Sequence, residues 1–302
     1  MPPPRKKPPP PPPRPKRRQA RRKRLGDLPL ALLFLLLLVF VGQCRRRTVV
    51  SRPAPAKPGA NLFLQGVIVV LDPGHGGADP GATRQAMSEA QLTYRMAATL
   101  AASLQQAGAE VIFTVHSKTL TTLPKENQPE PPLEAPRDAR FALDNKYVGI
   151  RRQESPEDLY RRAGLAAQVW RAQGAHHPVF FLSLHYDALS ASRWRGGLIC
   201  YDTRRGQPPP LAQELANRWQ KTGLGGQRRA GAPKPRELGV LNPEHNPVPE
   251  SVLIELATMS NHQDLQAACT PAWRWKVVRL IREGIAATLK KNAATLKNKW
   301  HP

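Results

Sequence analysis

Residues 66–81, GVIVVLDPGHGGADPG, decide the fold. Residues 67–71 are apolar and mostly β-branched, and Pro73-Gly74 ends the run, which is the pattern of a buried strand. Downstream, Leu92, Met96, Leu100 and Leu104 recur every fourth residue until Gly108 stops them, so a helix follows. Residues 110–115, EVIFTV, read as a second strand. Strand, helix and strand at this spacing form a βαβ unit, and that unit implies a parallel sheet.

The alternation resumes after an interruption. Residues 117–156 contain TLPKENQPEPPLEAPRD, an irregular stretch long enough to be an insertion that gates a cleft or a plain loop. A helix is expected over 157–173, with Leu159, Ala163, Ala166 and Trp170 on its core face. Residues 179–184 (VFFLSL), 197–201 and 251–256 (SVLIEL) read as strands, and 209–222 and 272–290 as helices. The last helix carries an apolar stripe through Trp273, Val277, Leu280 and Leu289. The expected fold class is α/β: a three-layer, mostly parallel twisted sheet of about six strands flanked by helices, preceded by a single N-terminal transmembrane helix.

That N-terminal reading rests on charge and hydropathy. Of the formal charge of +24, +13 sits in residues 1–47, which hold 14 Lys/Arg and one acid, Asp27. Residues 1–24 are Pro, Lys and Arg with almost nothing to bury, so they form a basic tail and no core. Residues 28–41, LPLALLFLLLLVFV, are uncharged, and 25–43 together are just long enough to cross a bilayer. Eleven Lys/Arg precede this span, which keeps the tail cytoplasmic and sends the folded domain outside. The expectation is a membrane-anchored protein with its catalytic domain on the periplasmic or cell-wall side. Residues 44–65 are a Pro/Ala linker, 66–292 the globular domain with its insertion at 117–156, and 293–302 a basic C-terminal tail. A nucleic-acid-binding role for the basic tail is disfavoured by the apolar span beside it, so no nucleic acid is expected as a partner. The remainder of the chain is still basic and suits an anionic partner such as a polyanionic wall. Three cysteines, Cys44, Cys200 and Cys269, have no paired spacing and argue against a disulfide framework or a thiolate metal site.

Polar groups interrupt the apolar strands at a few places. His75 follows the first strand, His185 ends the third in FLSLHYDA, and Glu255 lies inside the last in LIELA. In open parallel sheets ligands bind beyond the carboxyl ends of the strands, so both histidines fall on one rim. Glu89 stands at the first turn of the helix after strand one and points back to that rim. Two imidazoles and a carboxylate converging there would make a three-ligand zinc site with one position open, the catalytic pattern. Glu255 is set apart, because a carboxylate between Ile254 and Leu256 is costly to bury unless something pairs with it. Taken singly, each residue also has a plain structural reading: a capped histidine, or a glutamate that complements a helix dipole.

These segments together resemble the zinc-dependent N-acetylmuramoyl-L-alanine amidases that cut bacterial cell wall. That family opens with a strand and D-P-G-H-G-G-x-D-x-G, matched by DPGHGGADPG at 72–81. A glutamate before a long helix is matched by Glu89, S-[IL]-H-x-[ND]-A by SLHYDA at 183–188, and V-E-x-x-F-x-S-N by IELATMSN at 254–261. The resemblance covers about 66–290. It implies Zn2+ on His75, Glu89 and His185, with Glu255 as the catalytic general base. It implies peptidoglycan as partner, cut between N-acetylmuramic acid and the L-alanine of the stem peptide. Asp79 and Asp187 are expected to support their neighbours or shape turns. Three positions depart from the pattern: Thr114-Val115-His116 replaces Thr-Arg, Ala257-Thr258-Met259 lacks the aromatic, and Tyr186-Asp187 replaces Ala-Asn. An inactive wall-binding relative and another zinc peptidase on a related scaffold are the alternatives, and the need for an activator protein is left open.

Overall fold

The computed structural model of the chain describes residues 62–76, 79–117, 141–142, 156–188, 194–224 and 231–300, with side chains at 62–76, 79–115, 159–188, 194–224 and 231–293. The expected basic tail, membrane span at 25–43 and most of the linker lie outside the described residues. Among the described residues no helix is long and apolar enough to cross a membrane.

The elements in chain order begin with β1 (Ile68–Pro73), a short hairpin of β2 (Thr83–Arg84) and β3 (Met87–Ser88), α1 (Glu89–Gln106) and β4 (Glu110–Phe113). A second small pair, β5 (His116–Ser117) with β6 (Phe141–Ala142), brackets the insertion, most of which lies outside the described residues. Then come α2 (Pro156–Gln173), β7 (Val179–Asp187), β8 (Leu198–Asp202), α3 (Pro210–Thr222), β9 (Lys234–Arg236), β10 (Glu250–Thr258), α4 (His262–Ala268) and α5 (Pro271–Trp300). The backbone of α5 continues helical through 293–300, where no Gly or Pro interrupts it.

The main sheet has six strands in the order β4-β1-β7-β10-β8-β9. β4, β1, β7 and β10 are mutually parallel, and β8 is antiparallel to β10. The mostly parallel sheet expected from the alternation is therefore present. β9, an exposed Lys-Pro-Arg edge strand, had no apolar run to announce it.

The topology makes the site. From β1 the chain crosses through α1 to β4 on one side, then returns through α2 to β7 on the other side. Opposite crossings at the same strand place the two helices on opposite faces and open a crevice at the carboxyl end of β1. Side chains alternate accordingly. On the α1 side, Val69, Leu71, Phe180, Leu182, Leu184, Val252 and Ile254 pack with Leu92, Met96, Leu100, Leu104 and residues of α3 and α5. On the α2 side, Ile68, Val70, Phe181 and Leu253 pack with Ala166, Trp170 and the short turn at Gly239–Leu241. Leu159 departs from the expected core stripe of α2 and is 38% exposed, while Arg162 beside it is buried.

The chain enters at the amino end of the sheet. Leu64 is buried there, and its N–H donates to the Ala107 carbonyl at the end of α1 (2.9 Å). Among the described residues Cys200 and Cys269 are free.

Candidate active site

All four residues singled out in the sequence lie at the carboxyl edge of the parallel strands. His75 follows β1 in a turn that needs a left-handed backbone, with φ of 64°. Glu89 is the first residue of α1. Ser88 caps that helix, its hydroxyl accepting from the Gln91 N–H (3.3 Å) while the Gln91 side chain accepts from the Ser88 N–H (3.1 Å). This reciprocal cap fixes where the helix begins and so where Glu89 points. His185 lies near the end of β7, and Glu255 stands directly opposite it in the parallel β7–β10 pairing. Partners in register project to the same face, so Glu255 and His185 share the α2 face of the sheet.

The two imidazoles meet on one carboxylate. His75 Nε2 and His185 Nδ1 each lie 3.1 Å from Glu89 Oε1. The same oxygen accepts from the Tyr186 N–H (3.0 Å), and Oε2 accepts from the Ala82 N–H (3.2 Å). One ligand atom from each of the three residues falls within 4.8 Å of the others. His75 Nδ1 is engaged by Asp79 Oδ2 at 2.6 Å, which leaves Nε2 for the site. The other oxygen of Asp79 accepts from the Gly81 N–H (2.8 Å), so this residue both orients the ring and closes the turn.

The electrostatics favour a cation at this point. Burial alone would lower the His75 pKa, but hydrogen bonds and charge from Glu89 and Asp79 outweigh it and raise the pKa to about 9. Burial would raise the Glu89 carboxyl, yet His185 and His75 hold it well below the usual carboxylate range. A site that draws a proton onto an imidazole this strongly is one where a metal cation can take the proton's place. Two imidazoles and a carboxylate with an oriented outer partner are a donor set suited to zinc.

Two glycines leave room for these rings. A Cβ on Gly74 would overlap the His185 ring, including Nδ1 at 2.6 Å. A Cβ on Gly81 would stand 2.7 Å from His75 Cδ2 and 2.8 Å from Glu89 Oε2. The close approach expected of this glycine-rich turn is present at these two positions.

Behind the turn lies a buried network that sequence reading missed. Asp72 accepts from Thr114 Oγ1 (2.5 Å), Ser183 Oγ (2.7 Å) and Arg162 Nη1 (2.9 Å). Arg162 comes from α2, and the reading of that helix did not single it out. Of the departures from the family pattern, Thr114 keeps a role in this network, and Val115 packs against Ala90 and Tyr94. Ala257 and Met259 join the core, and the Asp187 carbonyl accepts from the Met259 N–H (2.7 Å) at the end of β10.

Residues 69–287 match the Amidase_3 family, described as N-acetylmuramoyl-L-alanine amidase. The chain belongs to that family. Its reaction is hydrolysis of the amide between N-acetylmuramic acid and the L-alanine of the peptidoglycan stem peptide. The amidase is 25% identical over 225 residues to the germination-specific N-acetylmuramoyl-L-alanine amidase of Bacillus subtilis (strain 168), covering 74% of this chain and 81% of that protein. Its fold is shared with the CwlD amidase from Clostridioides difficile, solved in complex with the GerS lipoprotein. That match has a TM-score of 0.52 at 20% identity and covers 74% of this amidase and 98% of that chain. The amidase Ami1 from Mycobacterium smegmatis has the same fold, with a TM-score of 0.51 at 20% identity over 76% of this chain and 99% of its own.

Proposed function

We propose that this amidase holds one zinc ion on His75, Glu89 and His185 and uses Glu255 as its general base. The convergence of the three ligand atoms within 4.8 Å carries the reading. When bound, zinc supplies Lewis-acid polarisation of the scissile carbonyl and acidifies water. The chain's own residues do the rest. Asp79 keeps the His75 proton on Nδ1, so Nε2 faces the site. Glu89 holds both rings in place through one oxygen and is itself anchored by two backbone N–H groups. Glu255 projects beside His185 from a strand whose backbone is bonded on both sides, by β7 and β8, so its Cα is fixed at the rim. It takes the proton of the attacking water and returns it to the departing L-alanine nitrogen.

The test uses the full chain loaded with zinc and incubated with purified sacculi, with products read by mass spectrometry. Intact stem peptides with a free L-alanine amine are expected, and Glu255→Ala should keep stoichiometric zinc while cleavage is lost. Normal cleavage by that variant would remove Glu255 from the mechanism, and release of single terminal amino acids would indicate a different peptidase.

The proposal extends to location. The uncharged run at 28–41, with eleven Lys/Arg before it, supports a signal anchor at 25–43 that keeps the catalytic domain outside the cytoplasm. Deleting residues 1–43 should move the protein from the membrane fraction to the soluble one, and unchanged sedimentation would sink the anchor. The CwlD neighbour was solved with a lipoprotein partner, and that likeness supports a protein partner for this amidase.

A further inference from the structure

We infer that Arg162 is a positioning residue for the metal-holding turn, an inference that rests on the ligand set proposed above. The turn after β1 presents three consecutive carbonyls, and the two helix layers hold them from opposite sides. From α1, the Thr93 hydroxyl donates to the Gly74 carbonyl (2.8 Å). From α2, Arg162 Nη1 donates to the Pro73 carbonyl and Nη2 to the His75 carbonyl, each at 2.7 Å. His75 is the residue that needs this most. It is the metal-facing histidine and it stands at φ 64°, a conformation that non-glycine residues adopt only at a cost.

The guanidinium suits the task because it does two jobs with one rigid fork. Nη1 also pairs with Asp72 Oδ1 (2.9 Å), and Arg162 is only 4% exposed, so its charge is balanced inside the fold. Asp72 is further fixed by Thr114, just after β4, and by Ser183 on β7. The fork therefore ties the His75 backbone to β1 and to α2 at once. A lysine could still balance Asp72, but a single ammonium on a flexible stem cannot span the carboxylate and both carbonyls. Arg162 touches neither substrate nor the reacting bond. It acts by holding the His75 main chain so that Nε2 stays on Glu89.

The experiment compares wild type, Arg162→Lys and the double variant Asp72→Asn/Arg162→Gln in the full chain. Zinc affinity is measured by chelator competition, and amide hydrogen exchange at Gly76 is followed in the metal-free protein. Gly76 reports on the turn because its N–H donates to the Asp79 carbonyl (2.9 Å). Arg162→Lys should fold, lose about tenfold to hundredfold in zinc affinity, as for other outer-shell partners, and exchange faster at Gly76. Unchanged affinity and exchange in a folded variant would overturn the inference, even if the melting temperature drops. Unfolding of both variants would assign Arg162 to the fold alone and overturn it too. If wild type binds no zinc, the ligand set fails separately, and Gly76 exchange alone decides the role of Arg162.

Discussion

The turn after β1 and the strand β10 each deliver one functional side chain to the same rim, by opposite means. His75 sits on irregular backbone in a left-handed conformation, fixed by contacts that arrive from α1, α2 and its own turn. Glu255 sits in a strand paired on both sides, at the last in-register pair before the β7–β10 register shifts, and the face it projects to follows from strand alternation. The proposed ligands converge from three directions, a turn (His75), a helix start (Glu89) and a strand (His185), whereas the proposed base comes from a strand alone. A base needs a fixed distance from the bond it serves, and a central strand provides that with the fewest parts.

The sharpest way to break this comparison is to remove one functional group from each region. Replacing Glu255 by Gln should lower kcat by about 10²–10⁴-fold with zinc retained, whereas His75→Ala should lose zinc and activity together. Metal analysis beside turnover separates the two. A smaller but still clear effect is expected from Gly74→Ala, because the new Cβ collides with the His185 ring. Overpacking of this kind costs about 1–3 kcal/mol, read as a lower unfolding midpoint, and should weaken zinc binding as well. Gly164 on α2 meets nothing within 4 Å, so Gly164→Ala should be neutral or stabilise by up to about 1 kcal/mol. Equal effects at the two glycines would contradict the packing described at the turn.

Asp79→Asn tests the next level. It keeps the turn's shape but weakens the hold on the His75 ring, and zinc affinity should fall about tenfold to hundredfold with the melting temperature little changed. The mildest expected effect is the pH response of the metal-free protein. The His75 pKa is raised from 6.5 to about 9 on folding, so the stability it contributes is complete below pH 6.5 and is lost as pH rises through about 9. Glu89 works in the other sense. Its lowered pKa gives stability that is present above 4.5 and is lost only in acid. The metal-free melting temperature should therefore decline from pH 6.5 to 9 more in wild type than in His75→Gln. Zinc stabilisation should grow over the same range, because the metal displaces a proton. A metal-free decline identical in the two proteins would remove His75 as its source.

What could be read in the sequence was whatever repeats locally. The apolar runs at 67–71, 179–184 and 251–256 mark buried strands because burial on both faces leaves few polar positions. The rim position of His75 and His185 followed from their place after such runs, and Glu255 stood out as a carboxylate inside one. Arg162 could not be found this way. It flanks the α2 stripe, three residues after Leu159 and four before Ala166, but periodicity names no partner for it, and only the return of α2 over β1 brings it to Asp72, 90 residues away. The same limit hid β9, whose Lys-Pro-Arg makes an edge strand only because β8 is beside it. Leu159 failed in the reverse direction: its spacing fits the stripe, but the first turn of α2 leaves it partly outside the packed face. The insertion of β10 between β7 and β8 is likewise a long-range pairing with no local signature.

The entry of the chain at the amino end of the sheet has a practical reach. β1 is six residues long, so about 20 Å of strand separates the point where the polypeptide joins the sheet from the rim where His75 emerges. A bead, a surface or a fusion partner coupled directly at Leu62 therefore meets the domain at the amino end of the sheet, opposite the rim that carries His75. Immobilised through that end, the enzyme presents its cleft outward to an insoluble polymer, the orientation a wall-digesting reagent or a surface-bound sensor requires.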